Sequence, residues 1–440
     1  MKKCIKTSNF LQNVFVSLSK QILLMRKFLL SCLIMASLIN QSFAQEGLDF
    51  YLSEAQGNSP LLKDYKNQVL LNQLDSLRML ASFKPLVTAG TNNSYYPAFG
   101  PFGYDNAISN GGNYSAQIFI NKPLIPKRNL ANQLETITLL SSGIQANTKI
   151  SQQDLTRTIT AQYLITYGDY LQIKFNQEVL ELFKNEEVIL KKLTQTNVYK
   201  QTEYLTFLVT LQQQELQLKR LKIQFLNDFG TLNYLCGIAP ENNQSTQITE
   251  IPTPNIPFPQ LPEVRKSIFY RPYVFDSLKI RNSDRQIDFA YKIRGNVFAD
   301  GGFVSSFSMQ PYYNFGVSLG FNATILLYDG RQRTLQHNKN KVAELTRQNY
   351  RNFFLKQYTQ QTSQLVQQLE LYENLSVEML DQLKYSQRLI EANSRLITTG
   401  DVRIVDYLLA TTNFLNAKNQ ITLNEINRLQ IKNQLNYWNK

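Results

Sequence analysis

Histidine occurs once in this 440-residue sequence, at His337, and cysteine three times, at Cys4, Cys32 and Cys236. A Ser-His-Asp triad or a two-histidine metal centre would therefore depend on a single imidazole. His337 stands in an amphipathic stretch just after Arg331-Gln332-Arg333 and reads as a surface or packing residue. Two of the cysteines fall in an N-terminal leader, which leaves Cys236 with no intrachain disulfide partner. No pair of acidic residues stands out at a spacing that separates an acid from a base, so nothing points to an enzyme or to a bound cofactor or metal. Glycine (18) and proline (14) are also scarce, while Gln, Asn and Leu recur along most of the length. That composition suits long helices packed side by side, which need few turns.

The 43% of hydrophobic residues suffices for a substantial core. The formal charge is +13, from 46 Lys plus Arg against 33 Asp plus Glu. Its basic residues are scattered, with no dense block, so a dispersed solvated surface is expected and a nucleic-acid partner is not. From Met25, the residues Arg26 and Lys27, an apolar run over 28–39, and Ser42-Phe43-Ala44 before Gln45 read as a secretory signal covering 1–44. That run is too short to span a bilayer as a helix. Residues 1–24 are either an extended n-region or follow an unused start codon, and the position of Cys32 early in the apolar run argues against lipidation there.

Helical spacing of Leu62, Tyr65, Val69, Leu70, Leu74 and Leu77 predicts a first helix within 46–83. The period then switches to two over 86–96 and 113–121. In the second run Tyr114, Ala116, Ile118 and Ile120 face one way and Ser115, Gln117, Phe119 and Asn121 the other. The loop between these strands is rich in aromatics, including Tyr95, Tyr96, Phe99, Phe102 and Tyr104, which with Tyr312 and Tyr313 suit a girdle at a membrane surface or simple loop packing. A long helix over 128–196 follows, and a return helix over 203–235.

A proline-rich connector at 239–262 separates this first repeat, 45–238, from a second, 263–440. The second repeats the order: a helix at 264–292, strands at 296–307 and 313–327, a long helix at 331–396 and a return helix at 402–438. The strand at 313–327 alternates Phe315, Val317, Leu319, Phe321, Ala323 and Ile325 with Gly316, Ser318, Gly320, Asn322 and Thr324. An apolar face backed by a small, polar one is the pattern of a barrel with lipid outside and water within. Four such strands cannot close a barrel alone, so oligomerisation is expected.

The tip of the second hairpin is the sharpest stretch: Gly400 breaks the helix and Asp401 is placed to cap the next, which runs through Ala410 and Ala417. A copy lies 200 residues earlier, with Leu208 over Leu408, Asn227 over Asn427 and Leu235 over Leu435, which puts Lys200 opposite Gly400. Gly400 with Ile404-Val405-Asp406, Leu408, Ala410-Thr411-Thr412 and Asn416-Ala417-Lys418 resembles the second helical tip of the TolC-like outer-membrane efflux proteins. The resemblance extends to the order of elements over nearly all of 45–440.

It implies a mixed membrane fold. Three chains would share a twelve-stranded β-barrel, four strands each, above a long antiparallel coiled-coil tube in the periplasm. It also implies an exit duct in the Gram-negative outer membrane, serving tripartite efflux or type I secretion with a periplasmic adaptor and an inner-membrane transporter. Asp406 falls on a position of the family's acidic gate, while the second such position is Leu409. The plain alternative for Asp406 is a solvated carboxylate. Lys200, Thr202, Gly400, Asp401 and Arg403 are the expected adaptor-facing residues. The competing reading is a periplasmic coiled-coil scaffold or adaptor-like protein without a pore.

Overall fold

The computed structural model describes residues 47–97, 99–103, 112–239, 248–306 and 313–440. The expected leader with Cys4 and Cys32, and the loop aromatics Tyr104 and Tyr312, lie outside the described residues.

Two short helices, α1 (Leu48–Asn58) and α2 (Pro60–Ser82), precede strands β1 (Leu86–Tyr95) and β2 (Gly112–Leu124). The long helix α3 (Lys127–Gln195) and its return α4 (Gln201–Cys236) complete the first half. After the connector come a 3-10 turn at Val264–Lys266, α5 (Arg271–Ala290), β3 (Arg294–Ser305), β4 (Phe315–Thr324), the long helix α6 (Gln332–Thr399) and its return α7 (Ile404–Trp438). Helices α3 and α6 hold 69 and 68 residues. At a rise of about 1.5 Å per residue each extends roughly 100 Å, far beyond the needs of a globular core. None of the helices among the described residues is long and apolar enough to cross a membrane.

Three expected boundaries move. The first helix is split at Ser59–Pro60: the residue before a proline is pushed out of the helical region, while Pro60 suits the first turn of α2 and the Ser59 hydroxyl accepts the Leu62 amide at 3.4 Å. The helix expected at 264–292 does not begin until Arg271, with Pro272 in its first turn. Strand β4 stops at Thr324 because its partner begins at Arg294, directly across from it, so residues beyond have no neighbour to bond.

The four strands form one antiparallel sheet in the order β1-β2-β3-β4. Pro123 sits inside β2, where a missing amide proton is tolerated because β1 has ended: its last pair is Leu86 with Asn121, and Pro123 faces only Asn296 of β3. At Gly302, φ is 157° and an added Cβ would lie 2.1 Å from the Ala116 carbonyl oxygen, so this close strand crossing admits only glycine.

The helices pack α4-α3-α7-α6 around distinct apolar clusters. One joins Tyr51, Ile159, Tyr163, Phe225 and Leu232 to Ile251 of the connector, at the middle of α3. The connector is strapped across this level by Tyr163, whose hydroxyl donates to the Pro252 carbonyl at 2.7 Å, and by Asn436, which donates to that of Pro257 at 2.9 Å. Another cluster, with Phe183, Leu190, Tyr199, Phe207, Ile390, Ile397, Ile404 and Tyr407, occupies the far end and draws on all four long helices. His337 lies half-buried in the seam between α5 and α6, its two ring nitrogens 3.2 Å from Asp284 and 3.2 Å from Asp288.

Candidate functional site

Two regions carry the chemistry of this chain, the sheet and the paired hairpin tips. In the sheet, register places Val87, Ile120, Ala299 and Leu319 in one row across all four strands and Ala89, Ile118, Gly301 and Val317 in the next on the same face. Leu319 is 80% exposed and Phe321 74%, so the apolar face stands open. The opposite face is polar: Gln117 donates to Asp300 at 3.1 Å, Ser318 donates to the other oxygen of Asp300, and Asn296 donates to Asn121 at 2.8 Å. Its two rings lie over glycines, Phe298 on Gly320 and Phe119 on Gly90, which keeps that surface low. Both sheet edges, on β1 and β4, lack a strand neighbour among the described residues.

At the other end, helix α6 stops at Gly400, whose φ of 82° is the left-handed conformation a side chain resists. The Asp401 amide closes the turn on the Leu396 carbonyl at 3.1 Å. Asp401 does not cap α7, as its sequence position suggested. Arg403 holds that place without a side-chain cap, and the Asp401 carboxylate accepts from the Thr399 hydroxyl at 2.6 Å instead. A carboxylate two residues ahead of the cap has already been taken by the turn it belongs to.

The first tip corrects the pairing of Lys200 with Gly400. Asn197, with φ of 59°, takes the left-handed position there, and the Val198 amide bonds the Leu193 carbonyl at 2.9 Å just as Asp401 bonds Leu396. Lys200 is the counterpart of Arg403, each preceding the first residue of its return helix. Around the turns the copies are thus offset by 203 residues, a register supported by the identities Leu193/Leu396, Tyr204/Tyr407 and Leu205/Leu408. This register also exposes a residue the sequence reading passed over: Glu203 occupies the position of Asp406.

The tips are locked together. The Tyr199 hydroxyl reaches the Ile397 and Val402 carbonyls, both at 2.9 Å, on either side of the Gly400 turn. A Cβ on Gly400 would lie 2.6 Å from Val198, so the first tip is seated against the bare glycine of the second. Burial, together with the nearby carboxylates of Glu203 and Asp401, raises the Tyr199 pKa and keeps its proton in place.

Asp406 meets Arg403 in a two-point ion pair, at 2.9 and 3.0 Å, and the guanidinium's hydrogen bonds lower its pKa. Glu203 instead accepts from the Lys200 backbone amide at 3.2 Å. Lys200, Thr202, Asp401 and Arg403 are all exposed at this end, with Gly400 partly covered. Leu409, one turn into α7, is exposed as well.

No protein-family model matches the sequence, and no curated protein matches it. Solved structures do. The outer-membrane channel OprN superposes with a TM-score of 0.72 at 13% identity, over 89% of this chain and 90% of that chain. The outer membrane protein VceC of Vibrio cholerae gives 0.70 at 12% identity, over 88% of this chain and 94% of its own. The CmeC outer membrane channel of Campylobacter jejuni gives 0.70 at 13%, over 91% and 87%. This is the TolC-like outer-membrane channel fold. Within it, the expected four strands and internally duplicated long hairpins are borne out, and the described tips lie at the end remote from the strands. The proteins matched are channels and membrane proteins rather than enzymes.

Proposed function

We propose that this chain is the outer-membrane exit duct of a tripartite efflux or type I secretion system, passing substrates from an inner-membrane transporter across the periplasm and outer membrane without catalysing a reaction. The observation that carries this reading is the sheet, with one open apolar face, one hydrogen-bonded polar face and two edges without a strand neighbour among the described residues. Lipid admits no unpaired strand edge, so β1 of one copy must meet β4 of another. Three copies at four strands each give a closed barrel of twelve. A scaffold without a pore gives no reason for Leu319, Phe321 and Val317 to stand bare on one face.

The hairpins then form the periplasmic tube and their tips its entrance. Repeats 45–238 and 263–440, with the connector 239–262, each supply one hairpin per chain. Asp406 faces the constriction as the gate carboxylate, with its charge tempered by Arg403 and with Leu409 in place of a second acid. The gate is therefore weakly cation-selective, because each carboxylate arrives already paired. Lys200, Thr202, Gly400, Asp401 and Arg403 form the rim offered to a periplasmic adaptor, and Glu203 joins them.

Light scattering on the detergent-extracted protein, with detergent subtracted, is expected to give three chains per particle. Asp406→Ala is expected to preserve that mass and raise the leak conductance of planar bilayers. Unchanged conductance with normal assembly removes Asp406 from the gate, and a soluble monomer needing no detergent ends the duct reading.

A further inference from the structure

Between the two hairpins, two turns inside the tips, one carboxyl group is buried where nothing in the duct reading requires it. Glu186 of α3 is 6% exposed and stands one turn from Phe183 and Leu190 in the apolar cluster that joins all four long helices. Its Oε1 accepts from the Ser394 hydroxyl of α6 at 3.2 Å. Its Oε2 is buried and has no hydrogen-bond partner. The hydroxyl of Tyr407, fully buried at the start of α7, has none either, though it lies close enough to act on the same carboxyl. Neighbouring Glu187 has a different arrangement, being hydrogen-bonded by Tyr204 from α4. So α3 presents two adjacent glutamates, one served within its own hairpin and one turned into the other hairpin.

A carboxylate buried among apolar side chains is costly, whereas a carboxyl that keeps its proton carries no charge and adds a donor of its own toward the Tyr407 oxygen. We propose that Glu186, Ser394 and Tyr407 form a proton-operated joint between the two hairpins, seated when the Glu186 carboxyl is protonated and loosened when it ionises. When protonated, Glu186 can donate from Oε2 toward Tyr407 while Ser394 continues to donate to Oε1. When ionised, it places a negative charge among Phe183, Leu190 and Ile390 with only the neutral hydroxyls of Ser394 and Tyr407 to offset its burial. From α6 the group facing it is Ser394 and from α7 Tyr407, while α4 reaches the seam through Phe207 and through Tyr204, which is occupied by Glu187. Burial raises the Glu186 pKa, and the two hydroxyls pull it partly back. With the folded-state pKa above the ordinary carboxyl value, the joint is complete in acid and is lost as pH rises through that raised value. Applied to the proposed duct, on which this last step rests, an acid periplasm holds the tips seated and an alkaline one releases them.

The seam can be followed without a pore. Hydrogen exchange of the amides over 386–410 is measured on the full-length protein in detergent between about pH 5.5 and pH 8.5, with the intrinsic pH dependence divided out. Protection in the wild type is expected to fall about tenfold or more across that range. Glu186→Gln keeps the shape but not the ionisation, and its protection is expected to stay flat with pH. Ser394→Ala removes the hydroxyl that favours the charged form, so the midpoint is expected to move to higher pH. Equal pH profiles for wild type and Glu186→Gln overturn the joint, as does a Ser394→Ala midpoint that moves down. If exchange behaves as expected while bilayer conductance of the wild type ignores pH, the joint stands and the duct reading of the tips fails.

Discussion

Leu319→Arg tests directly which face of the sheet meets lipid. Leu319 is the fifth of the ten residues of β4, in one row with Ala299, Ile120 and Val87. Ten residues at about 3.4 Å each, tilted by about 45°, rise roughly 24 Å, close to the height of the apolar band of an outer-membrane barrel. In the proposed duct the middle of β4 therefore falls near the bilayer midplane, the depth at which an arginine on the lipid face costs about 2–4 kcal/mol per chain. Ser318→Arg is the internal control. It puts the same side chain one residue away on the opposite face, beside the Asp300 carboxylate that Ser318 now bonds. There the charge stays in water with an acid at hand, and the expected change is within about 0.5 kcal/mol. The assay is the urea midpoint of folding into phospholipid vesicles, with trimer content checked on the same samples. A destabilised Ser318→Arg with a tolerated Leu319→Arg would show the faces to be reversed, and equal tolerance of both would show that this sheet does not lie in lipid.

Two further tests address the helices. Gly400→Ala places a side chain at φ of 82° and drives its Cβ against Val198, so it is expected to cost about 1–3 kcal/mol and to lower tip protection in hydrogen exchange, with Val198→Ala restoring part of the loss; no loss in the single mutant refutes the seating of one tip on the other. Asp169, buried in α3 with Gln224 donating to it at 3.0 Å, has its pKa raised by burial and by Asp228 of α4. Its folded-state pKa lies above the unfolded one, so it weakens the hairpin as pH rises through the raised value; Asp169→Asn is expected to raise the urea midpoint at about pH 9 and not at about pH 5, and an equal effect at both pH values refutes the ionisation.

What local patterns control was legible in the sequence. The alternation through Phe315–Phe321 fixes the faces of β4, and the scarcity of Gly and Pro within 128–196 and 331–396 permits uninterrupted helices. Even so, the strand limits depended on partners, as the end of β4 opposite Arg294 shows. An offset of 200 residues misaligns the tips because it matches scattered leucines and asparagines, whereas the unbroken return helices start 203 apart, at Gln201 and Ile404. The first turn uses Asn197 where the second uses Gly400, and a search for glycine alone misses it. The Glu-Tyr-Leu at 203–205 against the Asp-Tyr-Leu at 406–408 carried the signal and would have named Glu203. Glu186 was illegible for another reason. Its burial arises from Ser394 and Tyr407 on the opposite hairpin, more than 200 positions away, and no window along α3 contains them.

The lock between the tips constrains how such an entrance can open. If the second hairpin swung alone, Tyr199 would lose both carbonyl partners, Val198 would leave the face of Gly400, and the apolar cluster shared by Phe183, Phe207, Ile397 and Tyr407 would be cut through its middle. A tyrosine hydroxyl that exchanges its carbonyl partners for water loses about 0.5–1.5 kcal/mol, and each large side chain withdrawn from the cluster costs about 1.5–3 kcal/mol more. An adaptor that bound closed and open forms equally could supply none of this, since a ligand shifts an equilibrium only by its difference in affinity between the states. Either the two hairpins move as one body, with slip confined to the boundaries between chains, or the partner engages groups that become free only when the lock breaks. The Ile397 and Val402 carbonyls that Tyr199 now covers are such groups, and they flank the very turn at which adaptor contact is proposed.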